Sequence, residues 1–205
     1  MIVENTIIMA KTGGELMRFS IEILLDNEKI PKDKNRMILS LLKYNYYSYD
    51  KDYYYELYEK QPNKMKSFTF SLYMGKCQFL REDIVIPEKR IILNYSTYDV
   101  KDGIIFYNSF LKSKGLKYPI KDNSLTVNRI NLVREKTITN DEVIFRTLSP
   151  ISVREHNGDN KKTWYHSLTA KKGQETFMNN LKYQLLDCFG EERLLDINEV
   201  EFEVL

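Results

Sequence analysis

The chain has 205 residues, 42% hydrophobic and 29% charged, with a formal net charge of +2, which fits one large or two small globular domains with a sizeable core. No run approaches the ~18 apolar residues of a membrane span, and the N-terminus lacks the charged-then-apolar layout of a signal peptide. Cys77 and Cys188 lie far apart with no CxxC spacing, so neither a disulfide framework nor a zinc site is indicated and a reducing cytoplasm fits best.

Charge is unevenly placed. Residues 187–205 hold seven carboxylates and one arginine, so the body ahead of them is basic. Such a body suits nucleic acid, an anionic membrane surface or an acidic partner. Residues 1–16, MIVENTIIMAKTGGEL, contain a Gly-Gly breaker and read as an extension outside the fold, with Met17 as an alternative start. From Met17 the period of two places Phe19, Ile21 and Ile23 on one side of a strand. Pro31 suits the first turn of a helix, and Met37, Ile38, Leu41 and Leu42 recur at helical spacing, predicting a helix over about 31–47.

Tyr44, Tyr46, Tyr47, Tyr49, Tyr53, Tyr54, Tyr55 and Tyr58 follow in close succession, the later ones in a short predicted helix, KDYYYELYEK. Tyrosines offer stacking faces and polar tips that suit RNA bases, although a composition rich in Lys, Asn, Ile and Tyr supplies many of them anyway. In KMKSFTFSLYMGK, residues 64–76, strand parity aims Phe68, Phe70, Leu72 and Met74 at one face, with Lys66 on the same parity at the entrance. A cation at the rim of a rigid sheet can meet a phosphodiester; the plainer reading is a lysine whose stem covers apolar surface.

EDIVI and KRIILNYST read as a strand pair or one bent strand broken at Pro87. Ile105, Phe106, Phe110 and Leu111 recur at helical spacing, and Gly115 supplies a stop. SLTVNRINLVREK alternates Leu125, Val127 and Arg129 against Thr126, Asn128 and Ile130. The order over 17–137 is β-α-(α)-β-β-α-β, which is an α+β, ferredoxin-like arrangement.

A turn-rich linker around 137–141 leads to a second unit over 142–205. EVIFRTLSPISVRE predicts a strand interrupted at Ser149-Pro150, paired across the Asn-Gly turn with KKTWYHSL. Phe177, Leu181, Leu185 and Phe189 mark a helix over about 171–189, and VEFEVL predicts a last strand. A complete ferredoxin-like unit needs two further strands and a second helix, so this unit reads as incomplete.

MRFSIEILL, KSFTFSLYM, LNYSTYD, FRTLSPISVR and NLKYQLLDCFG, in that order, resemble the CRISPR-associated endoribonucleases that cut repeat RNA into guide RNAs, members of the repeat-associated RNA-binding superfamily. The resemblance runs from Met17 to the end. It implies two ferredoxin-like domains, the second normally closing with a glycine-rich GxGxxxxxGFG loop that has no counterpart here. It also implies cleavage without metal or cofactor, by attack of the substrate's own 2′-OH on the adjacent phosphorus. The implied partners are CRISPR repeat RNA and a multi-subunit effector complex.

The family shares the catalytic work among a first-helix tyrosine, a second-helix histidine and a lysine just before the FTFS strand. Lys66 matches the lysine, Tyr58 aligns with the histidine, and the tyrosine position falls on Lys43 with Tyr44 beside it. With an ordinary pKa near ~10, Tyr58 is a poor general base unless a lysine lowers it. The implied RNA contacts are Lys64, Arg146, Ser149, Arg154, Trp164 and His166; His156 and His166 are expected in RNA contact or solvent rather than catalysis. Two other readings stand beside this one: an RNA-binding protein without cleavage, and a ferredoxin-like protein-interaction module.

Overall fold

A computed structural model describes residues 16–60, 66–134, 139–140, 142–145, 151–156 and 163–204. In chain order they form β1 (Met17–Leu25), β2 (Lys29–Pro31), α1 (Lys34–Tyr49), α2 (Lys51–Tyr55) continued by a π-helical turn (Glu56–Lys60), β3 (Phe68–Tyr73), β4 (Gln78–Phe79), β5 (Asp83–Val85), β6 (Arg90–Thr97), α3 (Val100–Lys112), β7 (Lys117–Ile120), β8 (Asn123–Val133), β9 (Ser152–His156), β10 (Thr163–Ser167), α4 (Lys171–Phe189), a 3₁₀ turn (Glu191–Arg193) and α5 (Leu194–Asn198). The chain divides into two compact units, one running to residue 141 and the other spanning 142–205. No helix among the described residues is long and apolar enough to cross a membrane.

The first unit is ferredoxin-like, built on an antiparallel sheet of order β3-β6-β1-β8-β7. Alternation buries Phe19, Ile21, Ile23 and Leu25 of β1, and Leu16 ahead of it is already buried. Phe19 faces Tyr95 and Leu132, Ile21 faces Leu93 and Ile130, and Ile23 faces Ile91 and Val127. Over this face lie Ile38, Leu41, Leu42 and Tyr46 of α1 with Phe106 and Phe110 of α3; the Phe106 ring stacks on Tyr95 at 3.6 Å. Each fully buried aliphatic or aromatic side chain contributes about 1.5–3 kcal/mol.

Several sequence expectations change. Pro31 ends β2 rather than opening a helix; Asp33 caps α1 instead, accepting from the Arg36 N–H at 3.2 Å. β5 does not pair with β6 but joins β2 and β4 in a separate three-stranded sheet. β7, with Pro119 inside it, was not anticipated and sits on the sheet edge, where a missing N–H costs nothing. In β8 a bulge opposite Glu22 and Ile23 puts Arg129 across from Glu22 and turns Ile130 inward, so the simple alternation holds only as far as Val127.

In the second unit β9 and β10 form an antiparallel hairpin and α4 packs its Leu181 and Leu185 inward. Gly173 permits the approach of α4 to β10, because a Cβ there would lie 1.9 Å from the Ser167 carbonyl oxygen. The described residues of this unit thus form a ββα set. Residues 200–204 are not a strand; Phe202 instead packs on Phe177 at 4.7 Å.

One buried carboxylate ties the first unit together. Asp102, in the first turn of α3, is fully buried and accepts hydrogen bonds from the hydroxyls of Tyr46 (α1, 3.3 Å), Tyr53 (α2) and Tyr95 (β6). Tyr46 and Tyr95 also share a hydrogen bond of 2.9 Å. Burial pushes the Asp102 carboxyl above the ordinary carboxylate range while the Tyr53 and Tyr95 hydroxyls pull it back. Asp102→Ala leaves the Tyr53 and Tyr95 hydroxyls without this acceptor at ~1–3 kcal/mol each. The expected destabilisation is therefore roughly 2–6 kcal/mol in urea unfolding; a change within ~0.5 kcal/mol, the ordinary range of surface substitutions, would contradict the cage.

Candidate functional site

α1 ends at Asp50, whose extended backbone turns the chain and whose carboxylate caps α2 by accepting from the Tyr53 N–H at 2.9 Å. That turn folds α2 and the π-helical turn back against α1. Tyr53 drops into the Asp102 cage, and Tyr58 follows five residues later with its ring 6.5 Å from that of Tyr46. On the strand side, Phe68, Phe70 and Leu72 oppose Thr97, Tyr95 and Leu93 on the helix-covered face. Lys66, two residues ahead, enters from that same face.

These elements converge on Tyr58. The Lys43 ammonium lies 4.8 Å from the Tyr58 ring centroid and the Lys66 ammonium 5.5 Å from it, which keeps the two cations within about 10 Å of each other. Lys66 Nζ also donates to the Leu57 carbonyl, an acceptor made available at the end of the helical segment. Each ammonium gains from the negative face of the ring, by ~0.5–1 kcal/mol at an exposed site. Two like charges gathered in this way favour an anion between or beside them.

Tyr58 does not have the properties of a base. Its hydroxyl oxygen is buried with no hydrogen-bond partner among the described residues. Burial first, then the Asp102 and Tyr54 side chains, pushes its pKa up, opposite to the lowering by lysine that base catalysis would need. It is the ring, not the hydroxyl, that the two ammoniums meet.

Tyr44, one residue after Lys43 and so about 100° around the helix, packs at a 46° tilt and 5.0 Å against the ring of Tyr118, whose hydroxyl shares a 2.6 Å hydrogen bond with Ser40. It is thus placed by β7 rather than by the Tyr58 ring. Lys64, Arg146 and Ser149 lie outside the described residues.

The second unit carries the remaining predicted contacts. Arg154 stands opposite Tyr165 on one face of the hairpin, while Trp164 stands opposite Glu155 on the other, so Arg154 and Trp164 do not share a surface. Trp164 is 55% exposed. His166 Nε2 lies 2.8 Å from Glu155 Oε2, and Lys172 Nζ 3.1 Å from Glu155 Oε1. The hydrogen bonds from His166 and then Lys172 hold the Glu155 carboxyl below its ordinary value. His156 ends β9.

Sequence reasoning missed Asp102 as the organiser of this site. In the sequence it reads as an ordinary first-turn acid favoured by the helix dipole. The only available signal was the excess of nearby tyrosines.

Residues 133–205 match the family model for the CRISPR associated protein Cas6, C-terminal. A solved CRISPR associated protein Cas6 is 25% identical, with a TM-score of 0.61 over 84% of this chain and 71% of that one. The chain is thus similar to Cas6 proteins, through its C-terminal part in sequence and over most of its length in structure. Two further likenesses speak for the fold alone. The product of a Cas6-related gene from Pyrococcus furiosus is 21% identical, with a TM-score of 0.67 over 85% of this chain and 71% of that one. An RAMP protein binding different RNA substrates is 22% identical, with a TM-score of 0.61 over 84% and 70%. No curated protein matches the chain in sequence. At Tyr58, where the resemblance implies a helix histidine, the chain carries a buried phenol.

Because the Tyr58 hydroxyl is buried without a partner among the described residues, Tyr58→Phe is expected to leave stability unchanged or raise it by up to ~1 kcal/mol. Thermal and urea unfolding test this; a loss above ~1 kcal/mol would show that the hydroxyl is hydrogen-bonded after all.

Proposed function

We propose that this chain cleaves CRISPR repeat RNA as a metal-independent endoribonuclease. The 2′-OH attacks the adjacent phosphorus, the P–O5′ bond breaks, and the products are a 2′,3′-cyclic phosphate and a free 5′-OH. The likeness to Cas6 proteins supports repeat-RNA processing. The observation that carries the chemistry is the pair of ammoniums on one tyrosine ring, Lys43 at 4.8 Å and Lys66 at 5.5 Å.

In this reading Lys66 stabilises charge on the non-bridging oxygens of the phosphorane, and Lys43 donates a proton to the departing 5′-oxygen. Tyr58 holds both ammoniums in place through its ring, with its hydroxyl protonated. The proton of the 2′-OH passes to solvent, so turnover is slow. Tyr44 borders the cluster without a chemical step of its own. Arg154 and Trp164, together with Lys64, Arg146, Ser149 and His166, hold flanking RNA through phosphate contacts and stacking. An effector complex receives the guide.

A second reading is an RNA-binding member of the same family that does not cut. It is favoured by the raised pKa of Tyr58, which keeps this phenol protonated and out of base catalysis near neutrality.

Incubation of the chain with a stem-loop repeat RNA in EDTA separates the two, through a product ending in a 2′,3′-cyclic phosphate or a gel shift without product. Lys66→Ala is expected to slow single-turnover cleavage by about 10²-fold or more. Its effect on Kd should stay below about tenfold. Equal losses in rate and binding would contradict charge stabilisation by Lys66.

A further inference from the structure

Beside the lysine pair lies a group of tyrosines that the proposed chemistry does not use. The rings of Tyr47, Tyr54 and Tyr55 meet edge-on: Tyr47 to Tyr54 at 5.3 Å and 84°, Tyr47 to Tyr55 at 6.3 Å and 78°, Tyr54 to Tyr55 at 5.6 Å and 76°. Edge-on packing leaves ring faces unfilled, and Tyr47 and Tyr55 are 41% and 44% exposed. Core tyrosines of the same segment behave differently, since Tyr46 and Tyr53 are buried on Asp102.

The group is continuous with the lysine pair. Tyr54 also packs on Tyr58 at 5.4 Å, so one aromatic path runs from the ring that gathers Lys43 and Lys66 out to the surface at Tyr47 and Tyr55. Lys51 sits over Tyr47 at 5.1 Å. The acids nearby disfavour a run of phosphates along this surface: Glu59 accepts from the Tyr54 hydroxyl at 3.5 Å, and Glu56 lies 3.6 Å from Lys101. Neutral aromatic faces rimmed by acids and leading away from a cation pair suit a base, while its phosphate stays on the lysines.

We propose that Tyr47, Tyr54 and Tyr55 form a stacking subsite for an unpaired nucleobase next to the phosphate held by Lys43 and Lys66. The proposal rests on the reading that those lysines hold an RNA phosphate. Stacking on aromatic side chains tolerates any base, so the subsite selects for an unpaired nucleotide rather than for a sequence. An incoming base displaces the flexible Lys51 from Tyr47 and stacks there or on Tyr55.

The test compares the parent with Tyr47→Leu/Tyr55→Leu and Tyr47→Phe/Tyr55→Phe, using a stem-loop RNA with unpaired flanks that carry 2-aminopurine at single positions and a blunt duplex of the same stem. The leucine pair is expected to bind the flanked RNA about tenfold more weakly, with an unchanged salt slope and lost quenching at one flanking position. The phenylalanine pair restores both, and the blunt duplex does not distinguish the variants. Parent-like binding of flanked RNA by the leucine pair would overturn the subsite, as would equal weakening on the blunt duplex. Self-association of the parent that the leucine pair abolishes, with RNA binding unchanged, would assign these rings to a protein contact and also overturn it. Failure of the lysine reading shows separately, as salt-insensitive binding by the parent itself.

Discussion

The first unit depends on a buried carboxylate that accepts hydrogen bonds from three phenols. Asp102 starts α3, Tyr46 comes from α1, Tyr53 from α2 and Tyr95 from the central strand β6. Each hydroxyl satisfies the acid while losing the alternative of solvent, so the four elements are held in one arrangement. Burying a carboxylate is costly unless it is hydrogen-bonded, which makes the arrangement specific: moving any of the helices strands a charge or a hydroxyl.

The candidate site inherits its geometry from that constraint. With Tyr46 and Tyr53 fixed, the π-helical turn has one place to lie, and Tyr58 presents a ring rather than a hydroxyl to the surroundings. Lys43 reaches the ring from α1 and Lys66 from the approach to β3. Positive charge is thus concentrated by packing on one ring. Tyr54 extends the same aromatic path outward, so the buried cage, the cation platform and the exposed rings form a graded series from core to surface.

Much of this fold could be read in the residues. Period-two alternation announced β1, β3 and the first half of β8, and the spacing of Leu181 and Leu185 announced α4 with its observed ends. Features set by tertiary context could not be read. The bulge in β8 depends on pairing with Glu22 and Ile23, and β5 leaves the main sheet because β2 and β4 offer it partners. Strand parity announced only which face Lys66 enters from, and the resemblance pointed to Tyr58 as a position and not as a chemical state. Its hydroxyl lost its acid–base role to burial, a property no spacing rule reports.

The central claim is that Lys43 and Lys66 act on one phosphate as a unit organised by Tyr58. A double-mutant cycle of Lys43→Gln and Lys66→Gln in single-turnover cleavage of stem-loop repeat RNA tests it most directly. Groups that serve one transition state give non-additive losses, so the double variant should be little slower than the worse single variant. Strictly additive losses, or a parent chain that leaves the RNA uncut, would contradict the account.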